Sequence, residues 1–543
     1  MSHPDAEVMK QVLSLSYDDL PPNLQMFMLH LSIFPENCAA ESERIVRRLI
    51  AQRYMICAPG TTVDETARSY LDELINRNMV QPLHLIHDVV PRHCRLHPVI
   101  RDFIVIESRK DNFVTLVDDQ NPVLNHGTVH HLSIESSKED QDLDQDLSID
   151  SSQKKKDLSI DMNLSHVRSI TVFGQVSAAP RLTDLSMVRV LDLEGCDGPV
   201  CLDCLNHLPL LRHLGLRGTD VSELPAAIWE LRHLETLDVR STKVKELPRS
   251  IVGLRGTLKT LLFSHEGTIN SDETVTRIAG DIQHCGRLEN LATIDLREHH
   301  ACIVKDLGAL RNLRVITIMW SFQQCTDAPY CEALRSSMEK WSKLESITIH
   351  CGFGCLMEFM SCLSHPPKRL EKFKVTVGRF AYVPPWIKDL VSLSFLQIIV
   401  CKLGADDLKI LRNLPKLQLL ILGLEFVPRE AIVIDSEGFG ELQKFSVNCP
   451  VPWLTFRTGA MPKLTHLQLE FCSGSGRQET VPYGVNNLQW LREVVLLYNQ
   501  KWCANSSSVK MTVDAVKRQV VKHRNPINLI INDTEVDVRR RRG

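Results

Sequence analysis

The chain has 543 residues, 43% hydrophobic and 24% charged, with a formal net charge of -3. That mixture suits a globular protein with a large buried interior and excludes disorder as the global state. The near-balance of charge excludes an overall field for nucleic acid or an anionic membrane, so partners have to be argued locally.

No 18-residue apolar run occurs, and the opening MSHPDAEVMK lacks the charged, apolar and small-residue signal pattern. A cytoplasmic protein is expected, with the nucleus as the alternative. The 17 Cys are scattered, often on apolar faces (Cys94, Cys196, Cys285), where reduced thiols act as small hydrophobes. Cys201 and Cys204 form one C-x-x-C with no second pair at finger spacing, so no metal site is expected.

In chain order, apolar residues at helical spacing run from 6 to 33. Pro21-Pro22 divides them into two helices, the second (LQMFMLHLSI) stopping at Phe34-Pro35. Two amphipathic helices follow: ERIVRRLIAQRYM, with Ile45, Leu49 and Ile50 on a face, and ETARSYLDELINRNMV, with Tyr70, Leu71, Leu74 and Ile75 on a face. HLIHDVVPRHCRLHP then reads as a strand pair or wing, and VIRDFIVIES as a further helix. Residues 1–115 thus form a winged-helix layout.

From 116 to 533 a different period governs. The phrases VRVLDL, LRHLGL, LETLDV and LKTLLF centre on Leu191, Leu214, Leu237 and Leu261, at spacings of 23, 23 and 24 residues. These fall inside the leucine-rich-repeat window of about 20 to 29. In HLGLR, Leu214 and Leu216 share one strand face while His213, Gly215 and Arg217 share the other. One repeat cannot bury its apolar face alone, so stacked repeats build a parallel sheet along a solenoid, an α/β architecture. The phrase returns from Leu132 and Ile170 through LATIDL, LRVITI, LESITI, LEKFKV, LSFLQI, LQLLIL, LQKFSV and LTHLQL to LREVVL, fifteen candidate strands in all. The long gaps between Leu261 and Ile294 and between Ile316 and Ile347 imply loops on the convex or rim side. Residues 136–163 interrupt the period with charged sequence that contains DLSID twice, the pattern of a disordered surface insertion. SSVKMTVDAVKRQVVKH reads as an amphipathic helix and INLIIND as a last strand, together capping the core. Residues 534–543 form a basic, solvated tail.

The segments LSLSYDDLPPNLQMFMLHLSIFPEN, RRLIAQRYM, SYLDELINRNMV and CRLHPVIRDFI stand in the order seen in plant nucleotide-binding leucine-rich-repeat (NLR) disease resistance proteins. The chain resembles their NB-ARC-type winged-helix subdomain followed by repeats. The resemblance implies a defence role in which the repeat concavity recognises a pathogen-derived or host protein, with a full-length receptor of the family as a further partner. It also implies a Walker A loop, G-x-x-x-x-G-K-[ST], but these 543 residues contain no Gly-Lys-Ser/Thr. The family's Met-His-Asp motif aligns with Leu96, His97 and Pro98, where only the His matches and Pro98 supplies neither carboxylate nor N–H. His97 reads equally as a polar cap of a helix beginning at Pro98. The family's W-I-A-E-G-F stretch has Leu49 and Arg53 in place of its Trp and Gly. No cofactor is therefore expected, the family's ADP or ATP binding being lost with the phosphate loop.

No G-x-S-x-G, H-E-x-x-H or kinase H-R-D occurs, so an enzyme is not expected. Two other classes fit parts of the sequence less well. DLPPNLQMFMLHL resembles the opening of an F-box, which would suit a leucine-rich-repeat substrate adaptor of a ubiquitin ligase. A DNA-reading winged helix is disfavoured because ETARSYLDELINRN carries three acidic residues against two Arg. For protein binding, the outward positions Arg217, Asp238, Arg240, Asp295 and Arg297 are charged, whereas Phe395, Ile399, Leu419 and Ile421 place four apolar side chains on the solvent face, rimmed by Lys372, Lys374 and Lys444. A contiguous apolar patch of that kind marks a binding site.

Calorimetry with ADP and with ATP is expected to show no binding to the isolated chain. Micromolar affinity that disappears in His97→Ala would contradict this reading.

Overall fold

The computed structural model describes the chain apart from residues 1–3, 58, 84–91, 119–127, 137–163, 176–182, 184, 264–276, 279–280, 474–479, 500–505 and 537–543. Most of the acidic insertion, the terminal arginines and the tip of the wing therefore lie outside the described residues. Two compact units form, one of residues 1–266 with 273–281, the other of residues 267–272 with 282–543.

The first unit opens with α1 (Pro4–Asp18) and α2 (Pro22–Leu31), followed by β1 (Ala40–Glu41), α3 (Ser42–Gln52), α4 (Val63–Asn76), β2 (Gln81–Leu83), β3 (His93–Arg95) and α5 (Pro98–Lys110). Pro22 starts α2 at the position where a missing N–H costs nothing. Arg53, at φ 62°, ends α3 in the left-handed region. Thr62 and Glu65 close a capping box on α4. The three short strands pair antiparallel in the order β1-β3-β2, and Phe27, Met28, Leu49, Leu74 and Ile104 fill the core between helices. The Leu-Pro segment resembling an F-box opening is the α1–α2 junction, with Leu20 buried in this core.

The repeats of this unit supply β4 (Val114–Asp118), β5 (His131–Glu135), β6 (Ser169–Phe173), β7 (Val190–Asp192), β8 (His213–Gly215), β9 (Thr236–Asp238) and β11 (Thr260–Leu262), each parallel to the next; β10 (Glu246–Leu247) pairs with β12 (Arg277–Ile278). Leu191, Leu214, Leu237 and Leu261 stand in direct register and are at most 1% exposed. β4, absent from the fifteen expected strands, adds one at the start of the sheet.

The opposite face of these strands is not solvent. Asp192, Asp238, Arg240, His213 and Thr171 point away from the leucine core and are nevertheless buried, because α2, α3 and their flanking loops lie on them. Arg44 Nε donates to Asp192 Oδ2 at 2.9 Å, and Arg48 donates to the same oxygen and, at 2.6 Å, to Thr171 Oγ1. Glu41 accepts from Arg240 at 2.7 Å and Arg217 at 3.0 Å, while Arg240 also holds Asp238 at 2.7 Å. Arg189 donates to the Gln52 carbonyl at 2.7 Å and Ser133 Oγ to that of Ile33 at 2.8 Å. Gly215 leaves room for this, since a Cβ there would come within 2.8 Å of Asp192 Oδ1. Burial alone would raise the Asp192 carboxyl, yet Arg44 and Arg48 hold it far below the usual carboxylate range. Glu41, against the same penalty, is lowered by Arg47 and Arg240 to about 2. Hence the charged columns at Arg217, Asp238 and Arg240, expected as open surface, are the seat of the chain's own helices.

The second unit contains β13 (Asn290–Asp295), β14 (Val315–Trp320), β15 (Ser346–Cys351), β16 (Lys372–Phe380), β17 (Phe395–Val400), β18 (Leu419–Leu424), β20 (Lys444–Asn448), β22 (His466–Glu470), β23 (Glu493–Leu497) and β24 (Asn528–Ile531), again parallel neighbours, closed by the antiparallel β25 (Thr534–Glu535). β19 (Ile432–Ile434) and β21 (Leu454–Phe456) pair separately. Helices α6 (Ala301–Leu307), α7 (Phe322–Thr326), α8 (Ala328–Lys340) and α9 (Ala405–Arg412) lie between strands, and α10 (Ser507–Val521) precedes β24. The gap between Ile316 and Ile347 is thus largely helical, anchored by buried Trp341, whose Nε1 donates to the Leu307 carbonyl at 2.9 Å.

Three buried histidines, His30, His131 and His213, make the helix–repeat contact of the first unit acid-labile. Burial lowers His30 to about 4, with Arg48 adding to it, and lowers His213 to about 3; burial and His30 itself lower His131. Each is neutral when folded and binds a proton near 6.5 when unfolded, so this stability is complete above about pH 6.5 and falls as pH drops toward the folded values. Glu41 has the carboxylate sign, its contribution being lost as pH falls from about 4.5 through 2. At about 1.36 kcal/mol per unit, His30 alone accounts for about 3 kcal/mol lost by pH 4. Urea midpoints are expected to hold from pH 8 to 7 and to fall steeply from 6.5 to 4.5, less so in His30→Phe. Equal midpoints at pH 7.5 and 4.5 would contradict this.

Candidate protein-recognition surface

In the second unit the strand face opposite the core behaves differently. Along β14, β16 and β17, buried residues alternate with partly exposed ones, as expected when one face packs and the other meets solvent. Register places Lys372, Phe395, Leu419 and Lys444 side by side in one row across β16, β17, β18 and β20. The next row is Lys374, Gln397, Ile421 and Ser446. Lys372 Nζ sits 5.3 Å from the centre of the Phe395 ring, a cation over an aromatic face. Ile399 lies beside Gly423, where a Cβ would come within 2.7 Å of Ile399 Cγ1. Ile421 is the diagonal neighbour of Ile399.

The apolar site residues are therefore adjacent, but not all meet solvent. Phe395, Ile399 and Ile421 are half-buried, whereas Leu419 is only 3% exposed, which corrects its assignment as a contact residue. Its strand register is as expected; at the spacing of adjacent strands, about 4.8 Å, Phe395 on one side and the Lys444 stem on the other cover its methyl groups.

Two features escaped sequence reasoning. An irregularity in β16 separates the Lys374–Gln397 pairing from Arg379–Ile399. Val377 there takes φ 64°, a conformation that β-branched residues rarely adopt. The bulge delivers Arg379 to this face, where its guanidinium lies 5.3 Å from the Phe353 ring and its Nε 2.9 Å from Glu425. The second feature is an edge of aromatics. Phe322, Phe353, Tyr382 and Phe426 each lie two residues beyond the end of β14, β15, β16 or β18 and are 52%, 84%, 51% and 61% exposed. The signal available was an aromatic four positions past the repeat phrase at Phe322, Phe353 and Phe426, and seven past it at Tyr382, but nothing in one sequence says that such a residue stays uncovered.

Leu96, His97 and Pro98 lie in the first unit. Leu96 is half-buried against the winged-helix core, and Pro98 is the first residue of α5. The exposed His97 is its N-cap, Nδ1 accepting from the Val99 N–H at 3.3 Å, so of its two readings the geometry displays the cap. Among the described residues no cluster of His, Cys, Asp or Glu is placed to hold a metal, and no helix is long and apolar enough to cross a membrane.

Comparison with known proteins agrees with the architecture. A model of the leucine-rich repeat region matches residues 166–529, and one of the disease resistance protein winged helix domain matches residues 33–104. Disease resistance protein RGA5 of Oryza sativa subsp. japonica is 25% identical over 95% of this chain and 45% of its own length. Disease resistance protein PIK6-NP of the same plant is 27% identical over 90% of the chain and 49% of its own length. Disease resistance protein Pik-1 is 36% identical over 31% of the chain and 14% of its length. The chain spans about half the length of the first two relatives.

Burial and partial exposure separate two neighbouring positions by their response to charge. Leu419→Asp is expected to destabilise the protein by about 3 kcal/mol or more, since it buries a charge without a partner. Ile421→Asp should stay within about 1 kcal/mol, as at a surface site. Equal losses in urea denaturation would show that the two share one environment.

Proposed function

The chain belongs to the leucine-rich-repeat family, in the line of plant disease resistance proteins that set a winged-helix domain ahead of the repeats, and on that premise we propose that it acts in defence by binding another protein, of pathogen or host origin. The binding surface in this reading is the outer strand face and aromatic edge of residues 315–470. The observation that carries it is the set of four exposed aromatics at one repeat position, next to half-buried Phe395, Ile399 and Ile421 with Lys372, Lys374 and Arg379 beside them. Exposed aromatics and Arg beside a dry apolar centre are the residues that dominate binding energy at protein interfaces.

This role requires no chemistry of the chain's own. These 543 residues carry no phosphate loop and His97 caps a helix, so in this reading the repeats bind their partner without nucleotide chemistry from these residues. A cytoplasmic location, or a nuclear one, suits a protein whose cysteines are kept reduced. A full-length receptor of the family remains a partner in this reading.

Crosslinking mass spectrometry on the tagged chain, expressed in leaf tissue challenged with a pathogen, tests the surface. Crosslinks from Lys372, Lys374 or Lys444 to a second protein are expected, with loss of about tenfold or more in Phe395→Asp/Phe353→Asp. Crosslinks to a partner confined to other lysines, unchanged in that variant, would place recognition elsewhere.

A further inference from the structure

The outward positions of β16, β17, β18 and β20 carry four cations and no Asp or Glu. Lys372, Lys374 and Arg379 stand on β16 and Lys444 on β20, while the outward residues of β17 and β18 between them are uncharged, Phe395, Ile399 and Ile421 among them. The outward positions of β14 and β15 add no acid on one side. On the other side carboxylates return to this face at Glu470 of β22 and Glu493 of β23. Arg379 draws a carboxylate from within the chain, its Nε lying 2.9 Å from Glu425. The positive excess of the patch therefore sits on the three lysines.

That excess restricts what can cover the apolar residues. Lys372 Nζ is 5.3 Å from the centre of the Phe395 ring, so a group seated on Phe395 also strips water from the ammonium. A neutral partner would leave that desolvation without a compensating charge, whereas a carboxylate on the partner offsets it. A nucleic acid supplies negative charge but sets phosphates, not apolar groups, against Phe395 and Ile421. The centre calls for an apolar side chain and the rim for acids, which belong together on a polypeptide.

The strand geometry fixes the spacing. From β16 to β20 there are three inter-strand steps, with β17 and β18 between, and at about 4.8 Å each these span about 14 Å. An extended chain rises about 3.3 Å per residue, so four residues cover about 13 Å. In such a chain residues i, i+2 and i+4 point to the same side. A segment laid across the strands thus brings residue i to Lys372 and Lys374, residue i+2 over Phe395 and Ile421, and residue i+4 to Lys444.

We propose that this face takes an extended acidic segment of its partner protein, with Asp or Glu at two positions four residues apart and a large apolar residue midway. The inference rests on the recognition role assigned to this surface above and specifies the chemistry of what it recognises. The apolar residue supplies contact area at the centre, and the two acids select the partner by rejecting neutral and basic segments.

The test selects a phage-displayed library of random dodecapeptides on the immobilised full chain and measures the enriched peptides, made synthetically, by fluorescence polarisation. Enriched sequences are expected to carry the acid, apolar, acid pattern at i, i+2 and i+4. Their affinity should fall about tenfold or more in Lys374→Glu/Lys444→Glu, and also on raising salt from about 50 to about 500 mM. Peptides with Lys at both acidic positions should bind that variant better than the original chain, an outcome that a merely unfolded variant cannot give. Enriched peptides that are neutral or basic yet lose binding in Phe395→Asp would overturn the acidic segment while leaving the surface as a protein-binding site. Peptides indifferent to Phe395→Asp would overturn both. Displacement of the acidic peptides by a 20-nucleotide oligothymidylate at equal concentration would show a general polyanion site and also overturn the proposal.

Discussion

Burial of the Asp192 carboxylate between Arg44 and Arg48 is the constraint on which the first unit depends. All three side chains are at most 7% exposed, so neither sign of charge can be left alone there without a penalty of several kcal/mol. A second carboxylate, Glu41, ties Arg217 and Arg240 to the same helix start, and Arg240 in turn braces Asp238. Replacing such a cluster by apolar groups of equal shape need not destabilise a protein, but removing one member does. Its contribution is therefore orientation: α3 fits these strands in one register, because only there does each guanidinium meet a carboxylate.

This arrangement divides the work of the repeats. In the first unit the outer strand face is consumed by the chain's own helices, with Phe34 against Phe173 and Arg44 over both rings completing the contact. In the second unit the equivalent face carries partly exposed apolar residues among lysines, and its edge carries the uncovered aromatics. The same strand geometry serves internal cohesion in one place and, in the proposed function, recognition in the other. What changes is the residue at the outward positions, Asp and Arg in the first case, Phe, Ile and Lys in the second.

The sequence made the repeats legible because a strand's two-residue period assigns every Leu of the L-x-x-L-x-L phrase to the core, and Leu191, Leu214, Leu237 and Leu261 fall in register accordingly. The winged helix was legible from its apolar faces and breakers. Outward positions were read less well, since period alone says which way a side chain points and not what covers it. Asp192 and Leu419 both point away from the core, and both are buried by neighbours remote in sequence. The spacing of Arg44 and Arg48 on one face of α3 was the available hint for the first. β4 lacks the repeat phrase, and the bulge at Val377 has no glycine at the left-handed position to announce it.

The central claim, that a buried charge cluster fixes the helical domain to the first repeats, is tested most directly by a double-mutant cycle. Urea unfolding of Arg48→Ala, Asp192→Ala and the double variant gives the coupling between the two side chains. The structure predicts a coupling of about 1 kcal/mol or more, with the double variant losing less than the two single losses combined. Additivity within about 0.3 to 0.5 kcal/mol, the behaviour of independent sites, would show that the two groups do not meet in the folded protein.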